Sequence, residues 1–199
     1  MATVRDQRKE ETRRRVFEAA VEIFRRDGVA ASRIDDIATL AGVSRGTFYF
    51  HYPTKEDVLL EVLHESERQI VADLEDLPED APLSQVFDRL SAALCAAWEP
   101  DPRLLADVAA VALRSASSAA AMADTETDWL RGNLAVRFRA AAQRGELAAV
   151  LPPEMISDLY LGHVLCGLLA WFGNQTALSL RAVLGGVTHF FWQGAQAPP

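Results

Sequence analysis

Residues 159–199 carry a single charged side chain, Arg181. No other stretch limits the fold so tightly. A transmembrane helix needs roughly 20 predominantly apolar residues. Here the apolar run Leu159–Phe172 is 14 residues long, and His163 already interrupts it. Gly173-Asn174-Gln175-Thr176 then ends it. The alternative is a pair of helices that are apolar all round, and such helices are buried on every side. A chain of 199 residues has trouble enclosing both by itself. The simplest expectation is that a second copy of the chain covers them, across Met155–Phe172 and Leu178–Trp192 within residues 155–192.

The remainder reads as helix after helix, with no alternating run long enough for a strand. Phe17, Ala20, Val21 and Phe24 fall at i, i+3, i+4 and i+7, an apolar stripe among arginines that Gly28 stops. Ser32 and Asp35 have capping-box spacing and open a short second helix striped by Ile34, Ile37, Ala38 and Ala41. Gly42-Val43-Ser44 forms a tight turn, and Ser44 caps a third helix that Pro53 limits to Tyr52. Thr54 and Asp57 make a second capping box, which starts a long fourth helix running to about Leu77. Breaks at 77–82, 99–102, 116–127, 145–153 and 173–176 divide the rest of the chain into five more helices. The fold class expected is all-α, about nine helices. Three form an N-terminal helix-turn-helix head (residues 1–53), and the others form a helical body (residues 54–199).

Charge is unevenly spread between the two. The net charge is −8, yet residues 1–52 hold 10 Lys/Arg against 8 Asp/Glu, and residues 53–199 hold 10 against 20. A basic first quarter on an acidic body points to a polyanion-binding head, or to a merely solvated first helix. Cys95 and Cys166 both lie in apolar runs and are expected to be small buried hydrophobes in a reducing cytoplasm. The N-terminus is charged and has no apolar h-region, so no signal peptide is expected.

Residues 28–63 carry the specific signal. Two short capped helices joined by a glycine-containing turn describe a helix-turn-helix. On the second of them Phe48 and Tyr52 face inward, with Val43 at the base. Arg45, Gly46 and Tyr49 face outward, with Thr47, Phe50 and His51 at the margins. Arg45 can fork onto guanine O6 and N7. Gly46 costs helix stability but lets the backbone approach a duplex. Tyr49, His51 and Lys55 can reach phosphates, which fix register without reading sequence. The positive helix ends at Ser32 and Thr54 can face phosphates too. Spacing alone leaves one other reading open, an amphipathic hairpin with ordinary exposed Arg and Tyr.

The residues at 42–63, GVSRGTFYFHYPTKEDVLLEVL, resemble the signature of TetR-family (tetracycline-repressor-like) transcriptional regulators. Gly42, Val43, Ser44, Gly46, Thr47, Tyr49, His51, Lys55 and Glu56 match it; Tyr52 and Val58 stand where Phe and Leu are usual. Arg33 stands where a small hydroxyl residue is common, which makes a phosphate contact there ionic. The resemblance is strong over roughly 60 residues and rests on helix pattern beyond them. It implies a homodimeric DNA-binding regulator that reads an inverted repeat. Ligand in the body moves the fourth helix and releases the operator. The last two helices of each chain form the dimer bundle. The DNA-contacting set is then Ser32, Arg33, Ser44, Arg45, Gly46, Thr47, Tyr49, Phe50, His51 and Lys55.

Other chemistry is sparse. His51, His64, His163 and His189 show no metal-ligand spacing. His163 and Cys166 are three apart on one helix, but no third ligand is evident. His163 reads as packed and hydrogen-bonded, or as a polar ligand contact. The sequence contains no phosphate-binding loop, nucleophile elbow or paired carboxylates, so no enzyme activity, metal or cofactor is implied. Trp98, Trp129, Phe138 and Trp171, with His163, can line a cavity for a small, mainly apolar, unphosphorylated ligand, or can be plain core. Phe191 and Trp192 are assigned to the dimer seam, and Arg131, Arg137 and Arg139 to solvent.

Overall fold

The computed structural model describes residues 4–116, 129–148, 151–174 and 178–195. Those residues hold nine α-helices and no strand: α1 (Val4–Asp27), α2 (Ile34–Ala41), α3 (Arg45–His51), α4 (Lys55–Glu75), α5 (Leu83–Trp98), α6 (Pro102–Ala116), α7 (Trp129–Gln143), α8 (Pro153–Gly173) and α9 (Leu180–Ala195). The loop expected at 116–127 lies almost wholly outside them.

Each boundary has a local cause. Gly28, Gly42 and Gly145 end α1, α2 and α7 with φ of 79°, 66° and 74°, a region L side chains rarely adopt. At Thr54 the capping box forms: the Asp57 amide donates to Thr54 Oγ1 at 3.2 Å, and the Thr54 amide donates to Asp57 Oδ2 at 2.8 Å. Pro82 gives α5 no side-chain cap. Glu146, just past α7, supplies one instead and accepts the Leu83 amide at 2.8 Å.

The capping box expected at Ser32 does not form. Arg33 is the N-cap of α2 and gives no side-chain bond. Ser32 is buried, and its hydroxyl donates back to the Val29 carbonyl at 2.7 Å. A carbonyl three residues upstream won the hydroxyl that α2 would have used.

One apolar core runs from Val16 in α1 to Leu184 in α9. Its body half is built on tilted and edge-to-face rings: Phe87 on Tyr160 at 4.9 Å, Tyr160 on Phe191 at 4.9 Å, and Phe138 on Tyr160 at 6.1 Å. Trp192 closes on Phe87 at 5.9 Å. Phe191 and Trp192, both half-buried, therefore pack partly against this chain's own core. The outward turn of α9 carries Phe190, which is 78% exposed.

Arg137 also departs from expectation. It is 3% exposed, not solvated. Its guanidinium donates to the carbonyls of Leu74 (2.5 Å), Pro78 (2.9 Å) and Leu77 (3.3 Å), and to Asn133 Oδ1 (2.9 Å). The last carbonyls of a helix have no intrahelical partner. Arg137 adds a donor to the Leu74 carbonyl of α4 and to those of Leu77 and Pro78 in the turn after it, and so ties that end of α4 to α7. Cys95 is buried as expected. Cys166 is exposed, because it sits on a turn of α8 directed away from the core.

By length and composition α8 could cross a membrane. In this fold Ile156, Tyr160, Val164, Gly167, Leu168 and Trp171 bury one side of it. Glu154 and Asp158 near its start pair with Arg139 and Arg131 of α7. Gly167 is demanded by α9: a Cβ there would lie 2.7 Å from Val187 Cγ2.

Candidate nucleic-acid interface

α3 stands on two buried rings, Phe48 at 0% and Tyr52 at 1% exposure. Ser44 caps it, its Oγ accepting the Thr47 amide at 3.1 Å and lying 2.9 Å from Thr47 Oγ1. With one face fixed below, Arg45, Gly46, Tyr49 and Phe50 are exposed, and Thr47 and His51 are half-exposed. This is the division of inner and outer faces expected from the spacing.

Arg45 is held in place. One terminal nitrogen donates to both carboxylate oxygens of Asp35 at 3.1 Å, and the other donates to the Tyr49 hydroxyl at 3.3 Å. Its guanidinium lies 5.7 Å from the Tyr49 ring centre. Both partners of the ion pair are more than half exposed. Exposed pairs are worth about 0–1 kcal/mol. Arg45 can therefore exchange Asp35 for a base edge at little cost.

Gly46 has no internal reason to be glycine. A Cβ there would meet only Ser44 Oγ, at an ordinary 3.7 Å. The room its absence leaves opens outward.

The flanks differ among themselves. Arg33 is exposed beside the N-terminus of α2. Lys55 is half-buried, and its ammonium donates to Val29 O at 2.6 Å, Ser32 O at 3.1 Å and Ser32 Oγ at 3.4 Å. Lys55 and Ser32 thus tie the α1–α2 turn to the start of α4. Burial, then the charges of Lys9 and Arg13, hold the His51 imidazole below its ordinary value.

A carboxylate with no motif to mark it in the sequence organises the back of the head. Glu61 in α4 accepts the Tyr52 hydroxyl at 2.7 Å and Arg13 Nη2 at 2.5 Å on the same oxygen. The Arg13 guanidinium lies 5.3 Å from the Tyr52 ring. Burial, reinforced by Glu61, drives the Tyr52 phenol far above its ordinary value. One atom joins α1, α3 and α4. The usable signal was Tyr in place of Phe at 52: a buried hydroxyl demands a partner.

The residues proposed for a ligand cavity are not gathered in one place. Trp98 walls a groove of about 960 Å³ where α1, α4, α5 and α6 meet. Trp129 packs edge-on to His64 and under Arg68. Phe138 belongs to the ring cluster of the core, and Trp171 is buried in α8. His163 is exposed, with Nδ1 2.6 Å from the Leu159 carbonyl.

Residues 16–62 match the family described as bacterial regulatory proteins, tetR family. The chain is 38% identical over 91 residues to the HTH-type transcriptional regulator TtgR of Pseudomonas putida, covering 41% of this chain and 43% of TtgR. It is 43% identical over 70 residues to SrpR, also of Pseudomonas putida, covering 35% of this chain and 32% of SrpR. The matched segments thus span less than half the length of these curated relatives. The fold resembles that of Thermus thermophilus FadR in complex with lauroyl-CoA: TM-score 0.69, 23% identity, 92% of this chain and 94% of that one. FadR from Bacillus subtilis in complex with stearoyl-CoA gives 0.64 at 22% identity, 91% and 98% covered. At these identities the likeness establishes the fold.

Proposed function

We propose that this chain, whose residues 16–62 match the tetR family of bacterial regulatory proteins, is a ligand-responsive, DNA-binding transcriptional regulator. It works as a cytoplasmic homodimer and acts as a repressor.

The dimer rests on the α8–α9 face: Met155 and Leu159 on α8 and Phe190 on α9 are large, apolar and exposed. Beside them, a Cβ at Gly162, Gly185 or Gly186 would meet nothing within its own chain. An uncharged surface of this kind behaves like a domain core cut in half.

The observation that carries the DNA reading is α3 itself. It is rooted on Phe48 and Tyr52, and it presents Arg45, a needlessly small Gly46 and Tyr49 on one open face. In this reading residues 1–53 bind DNA, and residues 54–199 bind the second copy and, with α1 as one wall, the ligand. Arg45 reads a base edge. Thr47, Tyr49, Phe50, His51, Ser44 and Arg33 line the phosphates and groove around it. Lys55 and Ser32 act from behind by fixing the α1–α2 turn. The activity assigned is binding alone, with no catalytic step.

The ligand enters the groove beside Trp98, where Phe17, Val21, Val62 and Leu104 offer an apolar wall and a charged rim that includes Glu22, Arg25 and Asp101 surrounds it. Head and body share that wall, so an occupant can favour one head placement over another. The solved FadR complexes hold lauroyl-CoA and stearoyl-CoA, ligands that join an apolar acyl chain to a larger, phosphorylated portion.

A footprint on duplexes selected from a random library tests the reading. An inverted repeat with half-sites about one turn (34–36 Å) apart is expected. A single asymmetric half-site at saturation, or no salt-dependent duplex binding, would overturn it.

A further inference from the structure

The family match begins at residue 16, yet α1 begins at Val4 and is 24 residues long. At 1.5 Å per residue that is about 36 Å of helix. Its buried residues are Val16, Ala19, Ala20, Val21, Ile23 and Phe24. The helical repeat carries the Val16, Ala19 and Ile23 edge of that face back towards the N-terminus through Thr12, Lys9, Arg8 and Arg5. An apolar stripe thus becomes cationic where the supporting helices run out. Arg5, Arg8 and Lys9 are exposed, and among the described residues none pairs with a carboxylate. Asp6 and Glu10 continue the Val21 and Phe24 edge beside this strip, and Glu11 lies on the far side of the helix.

The overhang is aimed by α3. Lys9 Nζ lies 5.4 Å from the ring centre of Phe50, which is 69% exposed at the end of that helix. The charge of Lys9 also reaches His51. The cationic stripe is therefore continuous with the outer end of the recognition helix.

We propose that Arg5, Arg8 and Lys9 form a second phosphate-binding strip, which takes the duplex backbone next to the segment that α3 enters. The inference rests on the regulatory reading above and adds contacts outside the matched residues. Its occupant is a polyanion backbone, because cations spaced along one helix face suit charges spaced along a strand. The contacts are sequence-independent, since phosphates carry no base information.

The test uses the full chain and a fluorescein-labelled duplex of mixed sequence, about four helical turns long to span both half-sites, read by anisotropy across a salt series. Each phosphate contact contributes about 0.9 to the slope of log K against log salt. Arg5→Gln, Arg8→Gln and Lys9→Gln combined, acting in both heads, should lower the slope by about 5. The charge-conserving set Arg5→Lys, Arg8→Lys and Lys9→Arg should restore it. If the combined Gln variant loses helix content, the single variants Arg5→Gln and Arg8→Gln are read instead, each expected to lower the slope by about 1.8. A fall smaller than about one unit in the folded variants overturns the strip. A parent without salt-dependent duplex binding overturns the regulatory reading with it. A steep parental slope shared by the Gln variants overturns the strip alone.

Discussion

Arg25 near the end of α1 donates its Nε to Asp101 at the start of α6, at 2.5 Å. This ion pair bridges the head and the body beside the groove that Trp98 walls. The arginine side chain is 60% exposed, so the pair's contribution to stability is small, about 0.2–1 kcal/mol. Its effect should fall on head placement. Arg25→Gln, Asp101→Asn and the double variant are expected to shift duplex affinity by the same factor, with the thermal midpoint nearly unchanged. Singles that add independently in the double would show that the two residues do not act as a pair.

Arg137→Ala should be far more damaging. It removes the guanidinium that ties the carbonyls of Leu74, Leu77 and Pro78 to α7; Leu74 and Pro78 keep the amides of Leu77 and Ala81, while Leu77 loses its side-chain donor and Asn133 its partner. Unsatisfied buried groups cost about 1–3 kcal/mol each, less where water enters. A loss of about 3 kcal/mol would lower the midpoint by roughly 6–12 °C in a chain of this size. Thermal denaturation followed by circular dichroism measures it; a shift below about 2 °C would contradict the pinning of α4.

Arg45→Ala is expected to cost about 1–3 kcal/mol of operator affinity and to relax preference at one base pair per half-site. Tyr49→Phe should weaken all duplexes alike. Binding to a set of single-base operator variants separates the two effects. Unchanged preference in the Arg45 variant would remove it from base reading.

The α8–α9 face makes a divided prediction. Phe190→Glu and Leu159→Glu place charge on exposed positions and should yield folded monomers by sedimentation. Leu168→Glu should unfold the chain, because Leu168 is buried within one copy. A Phe190→Glu, Leu159→Glu double variant that stays dimeric would move the interface elsewhere.

His51 gives a pH signature. Burial, Lys9 and Arg13 hold its imidazole below the ordinary 6.5, so the folded head prefers it neutral. As pH falls through the unfolded value towards the lowered one, the unfolded state takes up the proton more readily, and stability is lost. A phosphate beside His51 acts in the opposite sense and favours the cation. Duplex affinity should therefore rise as pH falls from about 8 to about 6, and His51→Gln should flatten that rise relative to the parent. An identical profile in both would place His51 away from phosphate.

Periodicity and caps made most of the helices legible. Phe48 and Tyr52 could be set inward and Arg45, Gly46 and Tyr49 outward from spacing alone. What stayed hidden depends on partners distant in sequence. Ser32 has the spacing of a cap, but Val29 and Lys55 decide its bonds. Arg137 looks like a surface residue until the end of α4 arrives 59 to 63 residues away in sequence. Phe191 and Trp192 follow Phe190 directly, and only the rotation of α9 sends two rings inward and one out. The ligand site is the least legible, because a groove is a property of four helices together.

The contact of Gly167 with Val187 fixes more than local packing. With no room for a methyl group between them, the backbone of α8 at Gly167 lies directly against the Val187 side chain of α9. The two helices therefore meet closely enough to present Met155, Leu159 and Phe190 outward as parts of one apolar surface. A single missing side chain lets two helices share one face.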